Sequence, residues 1–389
     1  MRSGLWPHDV RFVGVILAFV ALGLAFGQQI PKAERHYQRG LELEKAGKYH
    51  EAAVEFTQAV EINPEYSDAY YHLGLSALQD GDPENAIRAL MQLSQLEPNN
   101  NRARMAVGQI YLALGFLDDA LPVYYRAHQI EPNQPDICQN LGWILFKQKA
   151  YAQAVEMLKK ALTLQPPMKE ARNLLASVYE AQNDLPKAIE TLQEGLQIAP
   201  HDPQLMTALG WLYARAGSLS KAEKQFTAAL ALPGNYVPAR IGLARVYRLS
   251  GHPSEALAQV FAVLQAAPKE TSALLERGLA EYALGDKAAA RRDLENYTKL
   301  VPDNPEGHFF LGVLDSEAGQ YSSAILHLNK TIASDASRAE AYYYLGQAHY
   351  RLGERKEAEE ALRRCLSLDS SHQVARQVLE QVLKENREP

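Results

Sequence analysis

Apolar positions along this chain fall into columns that return every 34 residues. Alanine fills one of them ten times without a break, at positions 52, 86, 120, 154, 188, 222, 256, 290, 324 and 358. Twelve residues earlier runs a column of tiny residues: Gly40, Gly74, Gly108, Gly142, Ala176, Gly210, Ala244, Gly278, Gly312 and Gly346. Four residues after each alanine comes a large apolar one: Phe56, Leu90, Tyr124, Leu158, Leu192, Phe226, Val260, Leu294, Leu328 and Leu362. Twelve after it stand Pro64, Pro98, Pro132, Pro166, Pro200, Gly234, Pro268, Pro302, Ala336 and Ser370. A fixed period of this length marks one supersecondary unit, copied and stacked. The columns predict two helices per unit. Tiny residues let the two backbones approach, and large ones fill the space between them. Proline lacks an N–H and clashes with the preceding turn, so it stops the second helix or opens the next connection. Pro135, Pro203, Pro238 and Pro305 fall where first helices should begin, a place that tolerates proline.

These residues resemble the tetratricopeptide repeat family, with repeat 4 a clear instance: Leu141-Gly142, Leu145, Ala154, Leu158, Ala161 and Pro166. The family's favoured tryptophan near the start of the first helix is missing. His36, Tyr70, Arg104, Cys138, Arg172, Met206, Arg240, Leu274, His308 and Tyr342 stand there instead. The resemblance implies an all-α, right-handed superhelical solenoid of ten helix-turn-helix repeats over residues 33–370. Residues 371–389 would form a capping helix, with Val374, Val378, Leu379, Val382 and Leu383 turned inward and Arg376, Gln377, Glu380, Gln381 and Lys384 wet. Terminal repeats need such a polar cover. The weakest junctions are expected at Leu232-Pro233-Gly234-Asn235 and Ser334-Asp335-Ala336-Ser337, where the usual proline is displaced or missing.

Residues 1–27 are different material. Arg2 and Arg11 precede an apolar run from Phe12 to Phe26, and Ala25-Phe26-Gly27 places small residues where a peptidase would need them. This reads as a Sec-type secretory signal peptide with a mature start near Gln28, and hence a periplasmic or secreted protein. The run is short against the roughly 20 residues that span a bilayer. The alternative is an uncleaved signal that anchors the chain to the inner membrane. No other segment approaches membrane length. The rest of the chain, 47% apolar and 22% charged overall, is an ordinary globular mixture. Its formal charge is −6, and removing residues 1–27 takes away Arg2, Arg11 and Asp9, leaving −7. Without a basic footprint, a nucleic-acid partner is not expected.

The sequence offers little chemistry. It contains no glycine-rich phosphate loop, no His-Glu-x-x-His, no paired Cys-x-x-Cys and no Gly-x-Ser-x-Gly, so no catalytic residue, metal or cofactor is expected. Cys138 and Cys365 lie more than six repeats apart, too far for a disulfide in a stacked fold. One column is unusual. Leu43, Tyr111, Leu145, Tyr179, Tyr213 and Tyr247 give way to Glu281, Asp315 and His349, and Arg277 replaces a leucine one turn before Glu281. Arg277 and Glu281 can pair along one helix face. A hydrogen-bonded polar seam is a second reading, and a metal or catalytic site a third, which requires the three side chains to converge.

The resemblance also implies that first helices line a concave groove. Places five, nine and twelve of each repeat would face it, which brings in Tyr37, Tyr71, Met105, Trp143, Phe146, Asn173, Trp211, Ile241, Arg245, Tyr282, Phe309 and Tyr343. Some of these would instead pack between neighbouring first helices. Trp143 and Trp211 share one groove column, two repeats apart, with Asn173 and Ser177 in the repeat between. Contiguous apolar surface beyond the needs of the stack marks an interaction site, and aromatic residues are favoured anchors. The family's lysine-and-asparagine clamp for a terminal carboxylate is not matched by Tyr37, Leu41, Tyr71, Leu75, Met105 and Gln109. The expected function is a non-enzymatic protein-interaction scaffold outside the cytoplasm, binding an apolar or aromatic peptide or protein segment, as envelope-assembly factors do. The alternative is a binder or sensor of an apolar small molecule or glycan in the same groove.

Overall fold

A computed structural model describes residues 31–385; the expected signal segment and its cleavage point lie outside them. Among the described residues every regular element is an α-helix. The chain divides into two compact units between Asn183 and Asp184. In the first unit, the first helices of successive repeats are α1 (residues 31–45), α3 (Ser67–Gln79), α5 (Asn101–Ala113), α7 (Pro135–Lys147) and α9 (Lys169–Ala181). Their second helices are α2 (Tyr49–Ile62), α4 (Pro83–Leu96), α6 (Leu117–Ile130) and α8 (Tyr151–Leu164). The second unit opens with α10 (Leu185–Ile198), the second helix of repeat 5. First helices α11 (Pro203–Arg215), α13 (Val237–Leu249), α15 (Thr271–Ala283), α17 (Pro305–Glu317) and α19 (Ala339–Leu352) follow. They alternate with α12 (Leu219–Leu230), α14 (Pro253–Ala266), α16 (Lys287–Leu300), α18 (Tyr321–Ser334) and α20 (Arg355–Leu368), and α21 (Gln373–Glu385) closes the stack. Within each unit a helix packs on the next helix in the chain, and several first helices also pack, more lightly, on the next first helix.

The repeating columns explain that packing directly. The alanine column is fully buried throughout, and the large residue four places on fills the gap between the paired helices. A Cβ placed on Gly142 would lie 2.5 Å from Leu158 Cγ, so a glycine is what lets α7 and α8 close on each other. Pro135, Pro203 and Pro305 open their helices and Pro238 is the second residue of α13. At the start of α11 the residue before the proline supplies the missing acceptor: Asp202 Oδ1 takes hydrogen bonds from the backbone N–H groups of Gln204 and Leu205 at 2.9 and 3.0 Å.

The turn inside each repeat is set by a further column. Gly47, Gly81, Gly115, Gly217, Gly251, Gly285, Gly319 and Gly353 all have φ between +71° and +85°. In repeats 4 and 5 the same left-handed place is held by Lys149 (φ 61°) and Asn183 (φ 59°). The turn ties off the last carbonyls of the first helix: the N–H of Gly47 donates to Glu44 O and that of Lys48 to Leu43 O, each at 3.0 Å.

Both irregular junctions carry their own ties. Tyr236 Oη donates to Pro233 O at 2.7 Å, folding the ring over Gly234. Asp335 Oδ1 accepts from the backbone N–H and hydroxyl of Ser337 at 3.0 and 2.6 Å, a turn made without proline. The capping helix buries Ala375, Leu379 and Val382 and half-buries Val378 and Leu383. Val374 corrects the expectation: it is 48% exposed, because Ala375, one place on, takes the inward position.

Candidate interaction surface

In the first unit, the first helices bring their aromatic and polar side chains to one face. Tyr37 on α1 packs its ring against Tyr66 (4.9 Å), Phe56 and the edge of His72 (both 5.8 Å or closer), while His72 Nδ1 meets Glu44 at 2.8 Å. Tyr66 Oη donates to Glu34 at 2.5 Å. Tyr71 carries the Arg102 guanidinium 3.7 Å above its ring. Met105 and Trp143 lie half-buried against the cluster of Tyr124, Ile137, Leu141 and Ile144, and Lys147 stands 5.6 Å from the Trp143 ring. Phe146 meets Tyr151 at 6.1 Å. Gln139 Oε1, one turn before Trp143, and Asn173 Oδ1 on α9 are buried acceptors with no donor among the described residues.

The second unit builds its face from different chemistry. Trp211 on α11 stands edge-on to Phe226 at 5.4 Å, and the Arg245 guanidinium lies 5.1 Å from its ring. Ile241 and Phe309, expected in the groove, are only 5% and 6% exposed. Ile241 packs among Leu274, Leu275 and the half-buried Trp211, while Phe309 packs with Val313, Leu345 and the half-buried Phe310. The aromatic residues that do reach the surface continue one place along the helices. Tyr282 meets Phe310 at 5.4 Å, Phe310 meets Phe309 at 5.2 Å, and Tyr344 meets Tyr343 at 5.0 Å. Tyr282 Oη donates to Glu317 at 2.8 Å, and Arg338 lies 3.6 Å over the Phe309 ring while pairing with Glu306 at 3.1 Å.

The three members of the unusual column answer to separate partners. Arg277 binds Asp293 on α16 through both its Nε and an Nη, and Glu281 sits 3.9 Å from the same guanidinium. The i,i+4 pairing of Arg277 with Glu281 is therefore the lesser of two contacts. Burial, helped by the neighbouring Asp293, raises the Glu281 carboxyl to about 7. Asp315, fully buried, pairs with Arg291 at 2.6 Å and accepts the Ser323 hydroxyl at 2.6 Å. His349 Nδ1 lies 2.5 Å from Glu354. Arg277 with Asp293 and Asp315 with Arg291 are ion pairs between helices, while Glu281 and His349 meet partners close by in sequence. Among the described residues no three His, Cys, Asp or Glu side chains gather as a metal would require, and no helix is long and apolar enough to cross a membrane. Cys138 and Cys365 are free and buried, and burial pushes both thiols up, Cys365 to about 11.

Sequence reasoning missed Glu276, a buried carboxylate on α15 bound by Arg245 and Arg248 at 2.5 and 2.9 Å. It also missed Phe310 and Tyr344. The signal for Glu276 was its column, held elsewhere by Gln38, His72, Ala106, Asn140, Leu174, Ala208, Gly242, Phe310 and Tyr344, none of them a carboxylate.

Comparison with known proteins gives a consistent result. Family models described as tetratricopeptide repeat match residues 43–110, 145–212, 181–237 and 243–309. A model described as anaphase-promoting complex, cyclosome, subunit 3 matches 317–385. No curated protein matches the chain. Among solved structures, the TPR domain of P58(IPK) is 18% identical, covering 92% of this chain and 100% of that one, with a TM-score of 0.43. The Cut9–Hcn1 assembly of the APC/C is 14% identical over 93% of this chain and 92% of that one, with a TM-score of 0.44. YrrB, described as a TPR protein with an unusual peptide-binding site, is 20% identical over 47% of this chain and 95% of that one, with a TM-score of 0.40.

Proposed function

The chain belongs to the tetratricopeptide repeat family, and from that premise we propose that it is a non-enzymatic scaffold whose first-helix faces hold an apolar or aromatic segment of a partner protein outside the cytoplasm. The observation that carries this reading is at Trp143. A large aromatic ring sits half-exposed on the first-helix face, and one turn away Gln139 keeps a buried carbonyl oxygen without a donor. Asn173 repeats the feature on the next first helix. Buried acceptors are normally satisfied, and a segment whose side chains lie on the ring would bring its backbone N–H groups to them once the covering side chains part. The export part of the reading rests on residues 1–27, with a role in envelope assembly as its setting.

The test is retention of partner proteins from the native envelope extract by the protein and by its Trp143→Ala and Trp211→Ala variants. Each substitution should weaken binding of a retained partner by about 30-fold, the loss of a hot spot worth about 2 kcal/mol, while the circular dichroism spectrum stays the same. Variants that unfold but bind normally per folded molecule would show these tryptophans to be core residues and sink the reading. Intact mass of the native protein should place its first residue near Gln28; Met1 retained in the membrane fraction favours the anchored form.

A further inference from the structure

The pairing at Glu276 leaves a charge over. Glu276 is 1% exposed, so its carboxylate needs a cation. One arginine would balance it, yet two are present, three residues apart on α13. Arg245 Nε donates to Oε1 at 2.5 Å and Arg248 Nε to Oε2 at 2.9 Å. Both bonds use the inner nitrogen. Among the described residues, no acceptor takes a hydrogen bond from the outer Nη groups of either guanidinium. The buried carboxylate thus serves as a fixed post for two planar forks, and the three groups together carry a net charge of +1. The Arg245 side chain is 39% exposed and Arg248 15% exposed, and the Trp211 ring backs Arg245. Donor edges left over in this way match a carboxylate.

Six residues beyond Glu276 on the same helix stands Tyr282, about 9 Å along the axis at the usual helical rise. There the half-buried aromatic row of Tyr282 and Phe310 begins. An extended chain needs at least about three residues to cover that axial distance.

We propose that this face of the second unit reads an acidic side chain in a partner segment, docked on the outer edges of Arg245 and Arg248, with an aromatic or branched apolar residue about three positions away lying against Tyr282 and Phe310. The proposal rests on the reading of first-helix faces as peptide surfaces and gives one of them its chemistry. It differs from a clamp for a chain terminus, since the recognised group lies within the segment.

A random-peptide library displayed with both ends tethered, selected on the full chain, tests it. Enriched peptides should carry Asp or Glu about three positions from an aromatic or branched apolar residue. The triple variant Arg245→Gln, Arg248→Gln, Glu276→Gln removes the buried carboxylate together with its cations, so it leaves no orphaned charge; it should lose the acidic preference and keep the apolar one. A synthetic peptide from the selection should bind the unaltered protein at least about ten-fold more weakly when its acidic residue becomes the amide, a comparison that does not depend on the variant folding. Enrichment without an acidic preference, or the same acidic preference in a well-folded triple variant, overturns the proposal and leaves the peptide surface standing. Recovery only from a library with free C-termini overturns it in favour of a terminal carboxylate. No enrichment on any form overturns both readings.

Discussion

Repeats 3 and 4 of the first unit and repeats 8 and 9 of the second follow one backbone plan and fill it with different material. Around α6 and α7 the interior is Ala120, Tyr124, Ala127, Ile137, Leu141 and Ile144, with Asn140 donating to Tyr124 Oη at 3.1 Å. Around α15 to α18 the interior takes in Glu276, Asp293, His308 and Asp315, all nearly inaccessible. Each carboxylate there has a cation from another helix: Arg245 and Arg248 for Glu276, Arg277 for Asp293, Arg291 for Asp315. Both regions keep the tiny-to-large contact that sets helix spacing, Gly142 on Leu158 in one and Gly278 on Leu294 in the other. Once that contact is kept, the flanking columns are free to become ionic, provided the charges change together. The two fillings fail in different ways. An apolar interior loses in proportion to the atoms removed, whereas a buried ion pair is weakly stabilising while whole and costly when halved.

The largest expected effect breaks the ionic filling. Arg277→Met leaves buried Asp293 with only the exposed Arg292, 3.8 Å away, and should cost about 3 kcal/mol, whereas Tyr124→Phe in the apolar filling removes one hydrogen bond and should cost about 1 kcal/mol. Urea unfolding measures both. Adding Asp293→Leu to Arg277→Met should return most of the loss; a single-variant cost no greater than that of Tyr124→Phe would erase the contrast.

A second test uses pH. The folded state holds a proton on Glu281 up to about 7 because of burial and the nearby Asp293, against an ordinary value of 4.5. The folded form therefore binds that proton more tightly than the unfolded one, and this contribution is complete below pH 4.5 and lost as pH rises through about 7. Glu281→Gln should match the parent in acid and exceed it above neutrality. Hydrogen exchange should confine the gain to repeats 8 and 9 and leave repeats 3 and 4 unchanged. A variant no more stable at pH 8 than the parent would show that Glu281 is not strained there.

The smallest effect sharpens the comparison from the apolar side. Lys149 holds a left-handed turn that glycine holds in eight other repeats, so Lys149→Gly should stabilise by about 1 kcal/mol. Asn183→Gly should give a few tenths, since asparagine tolerates that conformation. Thermal melts that rank the two the other way would place the strain elsewhere.

What could be read from the sequence tracks what a period can carry. Helix pairs, their close contacts and their proline boundaries each recur at fixed positions, and the structure places them there. The left-handed column from Gly47 to Gly353 was equally legible, five residues before each alanine, though its meaning depends on the turn it closes. Exposure was harder. Whether Ile241 or Phe310 meets solvent depends on the bulk set against it by neighbouring helices, and one helix's periodicity does not encode that. The ion pairs left a trace: Arg277 and Asp293 are separated by 16 residues, the same interval as Gly278 and Leu294. Two opposite charges at a spacing already known to touch are a contact in plain sight.

The habit of each helix to pack only on its next one or two neighbours within a unit also sets a timetable. Contacts between residues close in sequence cost little loop-closure entropy and form quickly. A chain emerging residue by residue can complete one helix pair before the next has been made, so nascent protein need never expose more than about one repeat's worth of its apolar columns at a time.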